Sequence, residues 1–431
     1  MNDSSVRDLN APIGVQEIVA RLERAGFETW CVGGAVRDAL LGHPHLDWDF
    51  ATAATPAEVI RVFKRTVPIG IEFGTVGVFD SQGTMHEVTT FRRDVNTDGR
   101  HAVVEFGASL DDDLARRDFT VNAIAYHPKS QEIRDPFDGR LDLKRGLVRA
   151  VGKASERMRE DRLRALRGIR FAARFSFHIE PETWAAIRAS ASHMGRLSPE
   201  RVKQELEKTM EQVERPSNAL EWWREAGFLE ELVPSIAMAP TERFAALDSL
   251  PRAEGALAKG ATLSRLAMLW FGEKESVAAA ATKALRFSNA DSSWISSLAG
   301  ASAELGRTID ATVREGAPSA VDVRRWVARI GRMRTETFFT LYAALWRARL
   351  ANDANAIDES RIDALSKLAV IIAFRDPIEI ADLAVDGEDL HKAGIKNGPA
   401  MGKALHVLLE RVIENPALNT IDQLTEIAKA L

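Results

Sequence analysis

A single cysteine, Cys31, in a chain of 431 residues rules out an intrachain disulfide and a Cys-rich zinc site. No apolar run reaches the ~18 residues that a membrane-spanning helix needs, so no membrane association is expected. The opening residues, MNDSSVRDLNAPIG, have neither the basic start nor the apolar core of a secretory signal, and cytoplasm is the expected compartment. Internal repeats and low-complexity tracts are also missing. A strong net charge is missing too: the formal value is −5, which does not by itself point to a polyanionic partner. What is present, 45% hydrophobic and 28% charged residues, is the composition of a globular protein. The length implies roughly two to four compact units.

Net charge is an average, and binding follows local fields. Residues 140–174 hold twelve Lys/Arg against four Asp/Glu. Arg324, Arg325, Arg329, Arg332 and Arg334 form a second basic cluster. Either is a solvated helix face unless an RNA-directed site lies nearby.

Residues 1–140 alternate short apolar runs with turns. GVQEIVARLERAG reads as an amphipathic helix stopped at Gly26. FETWCVGGAVRDALLG reads as strand, glycine turn and helix. DWDFATA reads as a short strand, and PAEVIRVFKR as a helix with Pro56 in its first turn. GTVGVFD and TMHEVTTF alternate like paired strands. Together they predict a mixed sheet of about five strands. Beyond residue 145 strand signals nearly vanish. ERMREDRLRALRGIRFAARFSF has apolar residues at helical spacing, and SPERVKQELEKTM opens with Ser198 as N-cap and Pro199 behind it. The fold class expected is α+β: a mixed-sheet head followed by an all-α remainder.

Chemistry enters at GGAVRD. Gly33 and Gly34 follow a strand and open a helix, where backbone can approach a phosphate and free N–H groups face it. Arg37, about one turn in, could reach a triphosphate. Alone, such a pair of glycines is commonly just a tight turn. About ten residues on come Asp47 and Asp49, which a strand would point to one face. Adjacent carboxylates repel unless cations hold them. Two Mg²⁺ ions would do so and would also clamp an attacking hydroxyl and a leaving pyrophosphate. Glu87, on the strand TMHEVTTF, is either a third carboxylate of that site or a surface residue paired with Arg92 or Arg93.

GGAVRD, DWDFAT, RRDFTVNAIAY, DPFDGRLDL and REDRLRALRGIRFAARF stand in the order and spacing of class II tRNA nucleotidyltransferases and bacterial poly(A) polymerases. The chain resembles that family over roughly residues 28–210, with SPERVKQELEK a further similar segment. After the DxD strand it reads VFKRTVPIGIEFGTVGVF, closer to the CCA-adding branch than to the basic stretch of the poly(A) branch.

The resemblance implies a polymerase β-like nucleotidyltransferase head at 1–144. It implies a helical neck that reads the base at 145–214, a helical body at 215–300, and a helical tail, candidate for tRNA binding, at 301–431. It implies Mg²⁺ on Asp47 and Asp49, the triphosphate held by Gly34 and Arg37, and nucleotide contacts from Arg117, Asp118 and Asn122. Arg117–Asp118 could equally be a local ion pair and Asn122 a helix cap. Asp161 and Arg164, expected on one helix face, would select C and A, because a carboxylate accepts from the exocyclic amine and a guanidinium donates to ring N or O. Arg167 and Arg170 would continue that face toward phosphates. The segment between Thr89 and Asp113 looks like the full-length flexible loop of enzymes that add the terminal A, or a hairpin turning at Asp98-Gly99. The partners implied are tRNA, CTP and ATP, with no obligate protein partner. The implied activity is template-independent addition of CCA to tRNA 3′ ends. Poly(A) tailing, CC-only or A-only addition, and a non-catalytic RNA-binding protein remain alternatives.

Overall fold

A computed structural model describes the chain at residues 9–43, 48–97, 102–252, 255–350 and 359–431, and the side chains of 94–97 and 102–104 fall outside that description. The chain divides into two compact units, residues 1–205 with 222–232, and residues 206–221 with 233–431.

In the first unit, Val15, Ile18, Val19 and Leu22 recur at helical spacing and bury one face of α1 (Ile13–Arg24). The chain then reverses at Gly26, with φ 91°. β1 (Thr29–Val32) is buried along its whole length and is an interior strand, antiparallel to β2 (Asp49–Thr52) and to β8 (Ala125–His127). Between them run α2 (Gly34–Leu40), α3 (Pro56–Val62), β3 (Thr66–Gly70), β4 (Thr75–Phe79), β5 (Met85–Thr90), β6 (Arg92–Thr97), β7 (Ala102–Phe106) and α4 (Leu110–Ala115). β9 (Glu132–Arg134) completes a seven-stranded sheet ordered β3-β4-β5-β2-β1-β8-β9, mixed because β2 and β5 are parallel. The sheet is thus larger than the five strands expected. β8 and β9 have three residues each, too short for an alternating pattern to register. β6 and β7 form a separate antiparallel hairpin, the second of the two readings of that segment. The Asp98-Gly99 turn lies outside the described residues.

Capping explains where the short helices start. Thr55 with Glu58, and Ser109 with Asp112, form capping boxes at α3 and α4. α5 (Gly139–Arg145), β10 (Leu147–Val148), α6 (Ala154–Glu160), α7 (Leu163–Phe175), β11 (His178–Ile179) and α8 (Pro181–Ala189) follow, with β10 and β11 parallel. α9 (Pro199–Gln212) starts at the proline, as the Ser198-Pro199 pair predicts. α10 (Pro216–Glu225) and α11 (Phe228–Leu232) complete the first half of the chain.

The second unit is helical among its described residues: α12 (Thr241–Ala246), α13 (Ala258–Leu269), α14 (Glu275–Ala284), α15 (Asn289–Glu315), α16 (Ala320–Ile330), α17 (Thr335–Leu350), α18 (Glu359–Arg375), α19 (Gly387–Lys392), α20 (Pro399–Glu414) and α21 (Ile421–Lys429). Buried Arg265 donates to the carbonyls of Met210, Val213 and Leu250, satisfying helix-end acceptors that would otherwise be stranded. The basic cluster at 324–334 is not an open cationic face. Arg324 is buried on Asp376 and the Ile413 carbonyl, while Arg325 pairs with Glu414, Arg329 with Glu304 and Arg332 with Asp382. Among the described residues, no helix is long and apolar enough to cross a membrane.

Candidate active site

Gly33 links β1 to α2 with φ 76°, a conformation that L side chains rarely adopt. A Cβ placed there would stand 2.9 Å from Arg117 Nη1 and 3.8 Å from Asp49 Oδ2. A glycine loop, a guanidinium and a carboxylate therefore meet at one point. Asp49 opens β2, level with Val32 on β1. Parallel pairing of Phe50 with Val88 sets Asp49 beside Glu87 on the same sheet face, with Phe50 and Val88 on the other. Glu87 is exposed, and its side chain makes no hydrogen bond or ion pair among the described residues. The pairing considered for it does not form: Arg92 reaches the Phe73 carbonyl and Arg93 pairs with Glu105. Asp47 lies outside the described residues, and among those residues no three His, Cys, Asp or Glu side chains cluster as metal ligands.

Gly34 begins α2. Arg37, in its second turn, is buried. It is 3% exposed. Its Nε and Nη2 donate to Asp38 at 2.8 and 2.6 Å, and its Nη1 donates to Asn122 Oδ1 at 2.5 Å. The rings of Phe171 and Phe175 lie 5.0 and 4.8 Å from its guanidinium carbon. Burial lowers its pKa, and the Asp38 carboxylate opposes that shift. Arg37 thus braces the glycine loop from within, its Nη2 3.6 Å from where a Cβ on Gly34 would stand, while Arg117 stands against Gly33.

Arg117 is aimed by Asp113, which sequence reasoning missed. Asp113 accepts from Arg117 Nη2 at 3.2 Å and, on its other oxygen, from Arg116 at 3.0 and 2.9 Å. Burial pushes the Asp113 carboxyl up, but the charges of Arg117 and Arg116 outweigh it and hold the group below its ordinary range. The spacing Asp113, Arg116, Arg117 on one helical turn is the signal that could have revealed the trio.

Asp118 and Asn122 form neither the ion pair with Arg117 nor the simple cap considered for them. Asn122 donates to Asp118 Oδ1 at 2.8 Å while accepting from Arg37, and Arg167 donates to Asp118 Oδ2 at 2.8 Å. A continuous chain results: Asp38, Arg37, Asn122, Asp118, Arg167. Burial would raise the Asp118 carboxyl. The Arg167 charge, with the hydrogen bonds from Asn122 and Arg167, instead brings it to about 2. Arg174 closes the chain on its far side at 3.1 Å from Asp38.

The helix expected to carry both Asp161 and Arg164 is broken between them. α6 ends at Glu160, and Asp161 is extended, with φ −146° and ψ 107°. Asp161 accepts from the Leu163 amide at 3.0 Å and from Arg201 at 2.8 Å. Arg164 lies in the first turn of α7 and donates to Glu160 at 2.7 Å and to the Arg116 carbonyl at 2.9 Å. Both are part-buried, and they do not share a helix face. Arg170, expected to continue a face toward phosphates, is buried in an ion pair with Glu205 at 2.8 Å. Cys31 is buried in β1, which drives its thiol pKa up and keeps it neutral.

A mixed sheet with a glycine loop, a carboxylate pair on adjacent strands and a guanidinium beside them is a nucleotidyltransferase head. Residues 29–149 match the poly A polymerase head domain, and residues 176–239 match the "probable RNA and SrmB-binding site of polymerase A". The chain is 36% identical to the CCA-adding enzyme of Limosilactobacillus fermentum over 424 residues, 96% of each chain. It is 35% identical to that of Latilactobacillus sakei over 423 residues, again 96% of each. The crystal structure of the Bacillus stearothermophilus CCA-adding enzyme in complex with CTP superposes with a TM-score of 0.73 at 28% identity, covering 97% of this chain and 96% of that one. The chain belongs to the CCA-adding enzyme family.

Proposed function

We propose that this protein is a template-independent tRNA nucleotidyltransferase that adds or repairs the 3′-terminal CCA of tRNA from CTP and ATP. The observation that carries the reading is the meeting of Gly33, Arg117 and Asp49 at one point, with Glu87 beside Asp49 on the neighbouring strand. In each step the RNA 3′ oxygen bonds to the α-phosphorus of the incoming nucleotide, the bond to the pyrophosphate breaks, and pyrophosphate leaves. Little covalent chemistry falls to the protein, so its work is positioning and charge placement.

The Gly33–Gly34 turn offers close backbone approach and the N–H groups of α2 to the triphosphate. Arg117, held by Asp113, offers its charge beside them. The carboxylates Asp49 and Glu87, with Asp47 two residues before Asp49, supply the hard oxygen donors that suit Mg²⁺. When bound, Mg²⁺ would supply positive charge to the phosphate oxygens and lower the pKa of the attacking hydroxyl. Asp161 and Arg164 are the base-reading pair, each exchanging its present partner, Arg201 or Glu160, for an edge of cytosine or adenine. Arg37, Asp118, Asn122, Arg167 and Arg170 hold the nucleotide site together by the buried chain and the pair with Glu205. Functionally the chain divides into head (1–144), neck (145–214), body (215–300) and tail (301–431), with tRNA resting on the body and tail. The cytoplasm, where tRNA ends are matured, is its compartment.

The test is Asp49→Asn and Glu87→Gln in the incorporation of labelled CMP into tRNA lacking its CCA end. Both should lose incorporation, Asp49→Asn by on the order of 10³-fold or more, while tRNA binding by gel shift is retained. Asp49→Asn that still incorporates CMP at the wild-type rate would overturn the assignment of the site.

A further inference from the structure

β5 carries a histidine on the wrong face for solvent. Along MHEVTT, Met85 and Glu87 are exposed while His86, Val88 and Thr90 are buried. His86 is 3% exposed, and a buried polar ring needs partners. It has two. Nδ1 lies 3.2 Å from the backbone carbonyl of Trp48, and Nε2 lies 3.4 Å from Asp80 Oδ2. A carbonyl only accepts, so the Trp48 contact requires hydrogen on Nδ1. The ring also stands edge-on to Phe50, with centroids 5.8 Å apart and planes at 82°.

These contacts flank one residue. Trp48 and Phe50 are the neighbours of Asp49, the first residue of β2. The ladder between β2 and β5 is recorded from Phe50 with Val88 onward, so two residues back the opposing positions are Trp48 and His86. There the His86 side chain takes up the Trp48 carbonyl in place of a ladder bond. The far end of the strut is fixed in turn. Asp80 Oδ1 accepts from the amides of Gln82 and Thr84 at 2.9 and 2.8 Å. Its other oxygen packs against Gly14 of α1 so closely that a Cβ on Gly14 would overlap it.

We propose that His86 is a positioning residue for the candidate metal-holding strand: from the anchored Asp80 it holds the Trp48 carbonyl on one side of Asp49 and packs edge-on against the Phe50 ring on the other, fixing where the Asp49 carboxylate points. His86 touches neither nucleotide nor RNA and acts through Trp48 and Phe50. Supporting groups of this kind hold ligands in their productive geometry, and losing one costs about 10- to 100-fold in metal affinity or rate. The activity readout rests on the nucleotidyltransferase reading; the strand readout does not.

The experiment compares the full-length wild type with His86→Leu, which removes both ring nitrogens, and His86→Asn, whose amide nitrogen can stand near Nδ1. Hydrogen exchange of the amides at 48–52 and the steady-state constants for CMP incorporation are measured on each. His86→Leu should exchange faster at 48–52 and lose kcat by about 10- to 100-fold, with the KM for CTP within about twofold. His86→Asn should recover most of the protection and most of kcat. Unchanged exchange and kcat in His86→Leu, or a His86→Asn no better than His86→Leu on both readouts, would overturn the proposal. A wild type that incorporates nothing would instead defeat the nucleotidyltransferase reading, and the exchange comparison would still decide the role of His86.

Discussion

Arg117 Nη1 stands 2.9 Å from the position a Cβ on Gly33 would take, so the residue that turns the loop and the residue that faces it cannot be varied independently. Gly33→Ala meets two costs, a positive φ of 76° and displacement of Arg117. We expect it to raise the KM for CTP and to destabilise the chain by about 1–3 kcal/mol. Arg117→Ala relieves the second cost only. The stability loss of the double variant should therefore fall short of the sum of the singles, and denaturant midpoints of the four proteins check this.

The buried Asp118 carboxylate makes the first unit acid-sensitive. Its pKa is depressed from 3.8 to about 2, so its contribution is fully present above the ordinary value and is lost as pH falls through that window. The shift corresponds to about 2 kcal/mol. Comparing wild type with Asp118→Asn by urea unfolding should show the wild type more stable near neutrality and the gap narrowing below about pH 4. A gap that stays constant to the bottom of the window would contradict the network drawn around Asp118.

Arg170 and Glu205 form an ion pair with both side chains at most 4% exposed. Removing one partner leaves the other's buried charge without this ion pair, so Arg170→Met or Glu205→Gln should each cost about 3–5 kcal/mol. Replacing both with apolar residues should cost less than either alone. If Arg170 instead served mainly to bind phosphate, Arg170→Met would leave the unfolding midpoint unchanged and weaken tRNA or CTP binding.

Asp161 and Arg164 are engaged by Arg201 and Glu160. Asp161→Ala and Arg164→Ala should lower the preference for CTP over UTP, by about 1–3 kcal/mol of discrimination each, with a smaller effect on tRNA affinity. Incorporation from CTP and UTP in parallel reads the ratio. Discrimination intact in both variants would move base reading elsewhere.

The head was largely legible because its signals are local. A glycine turn after an apolar strand, a DxD and a proline in a first helical turn each act within a few residues, and Gly33, Asp49 and Pro56 stand where such signals put them. Three features were not legible, for a shared reason. The apolar spacing at Leu163, Leu166 and Ile169 reads as one helix with the residues before it, and the extended backbone of Asp161, whose side chain accepts from the Leu163 amide, left no clear mark in that pattern. Arg37 reads as a cation within reach of a triphosphate, and its burial with Asn122, distant in sequence, is not recorded in the motif. The arginines at 324–334 read as a basic face until their carboxylates arrive from Glu304, Asp376, Asp382 and Glu414. Partners brought by the fold decide whether a charge is available, and spacing along the chain does not record them.

The most direct measurement supplies the purified protein and Mg²⁺ with three tRNAs, one lacking the CCA end, one ending in CC and one complete, and sizes products to single nucleotides with each NTP alone and in mixture. The account predicts C, C and A added in that order to the first, one A to the second and nothing to the third. Long A-tails or arrest at CC would contradict CCA addition while keeping the class of chemistry, and no incorporation on any substrate would contradict the active site itself.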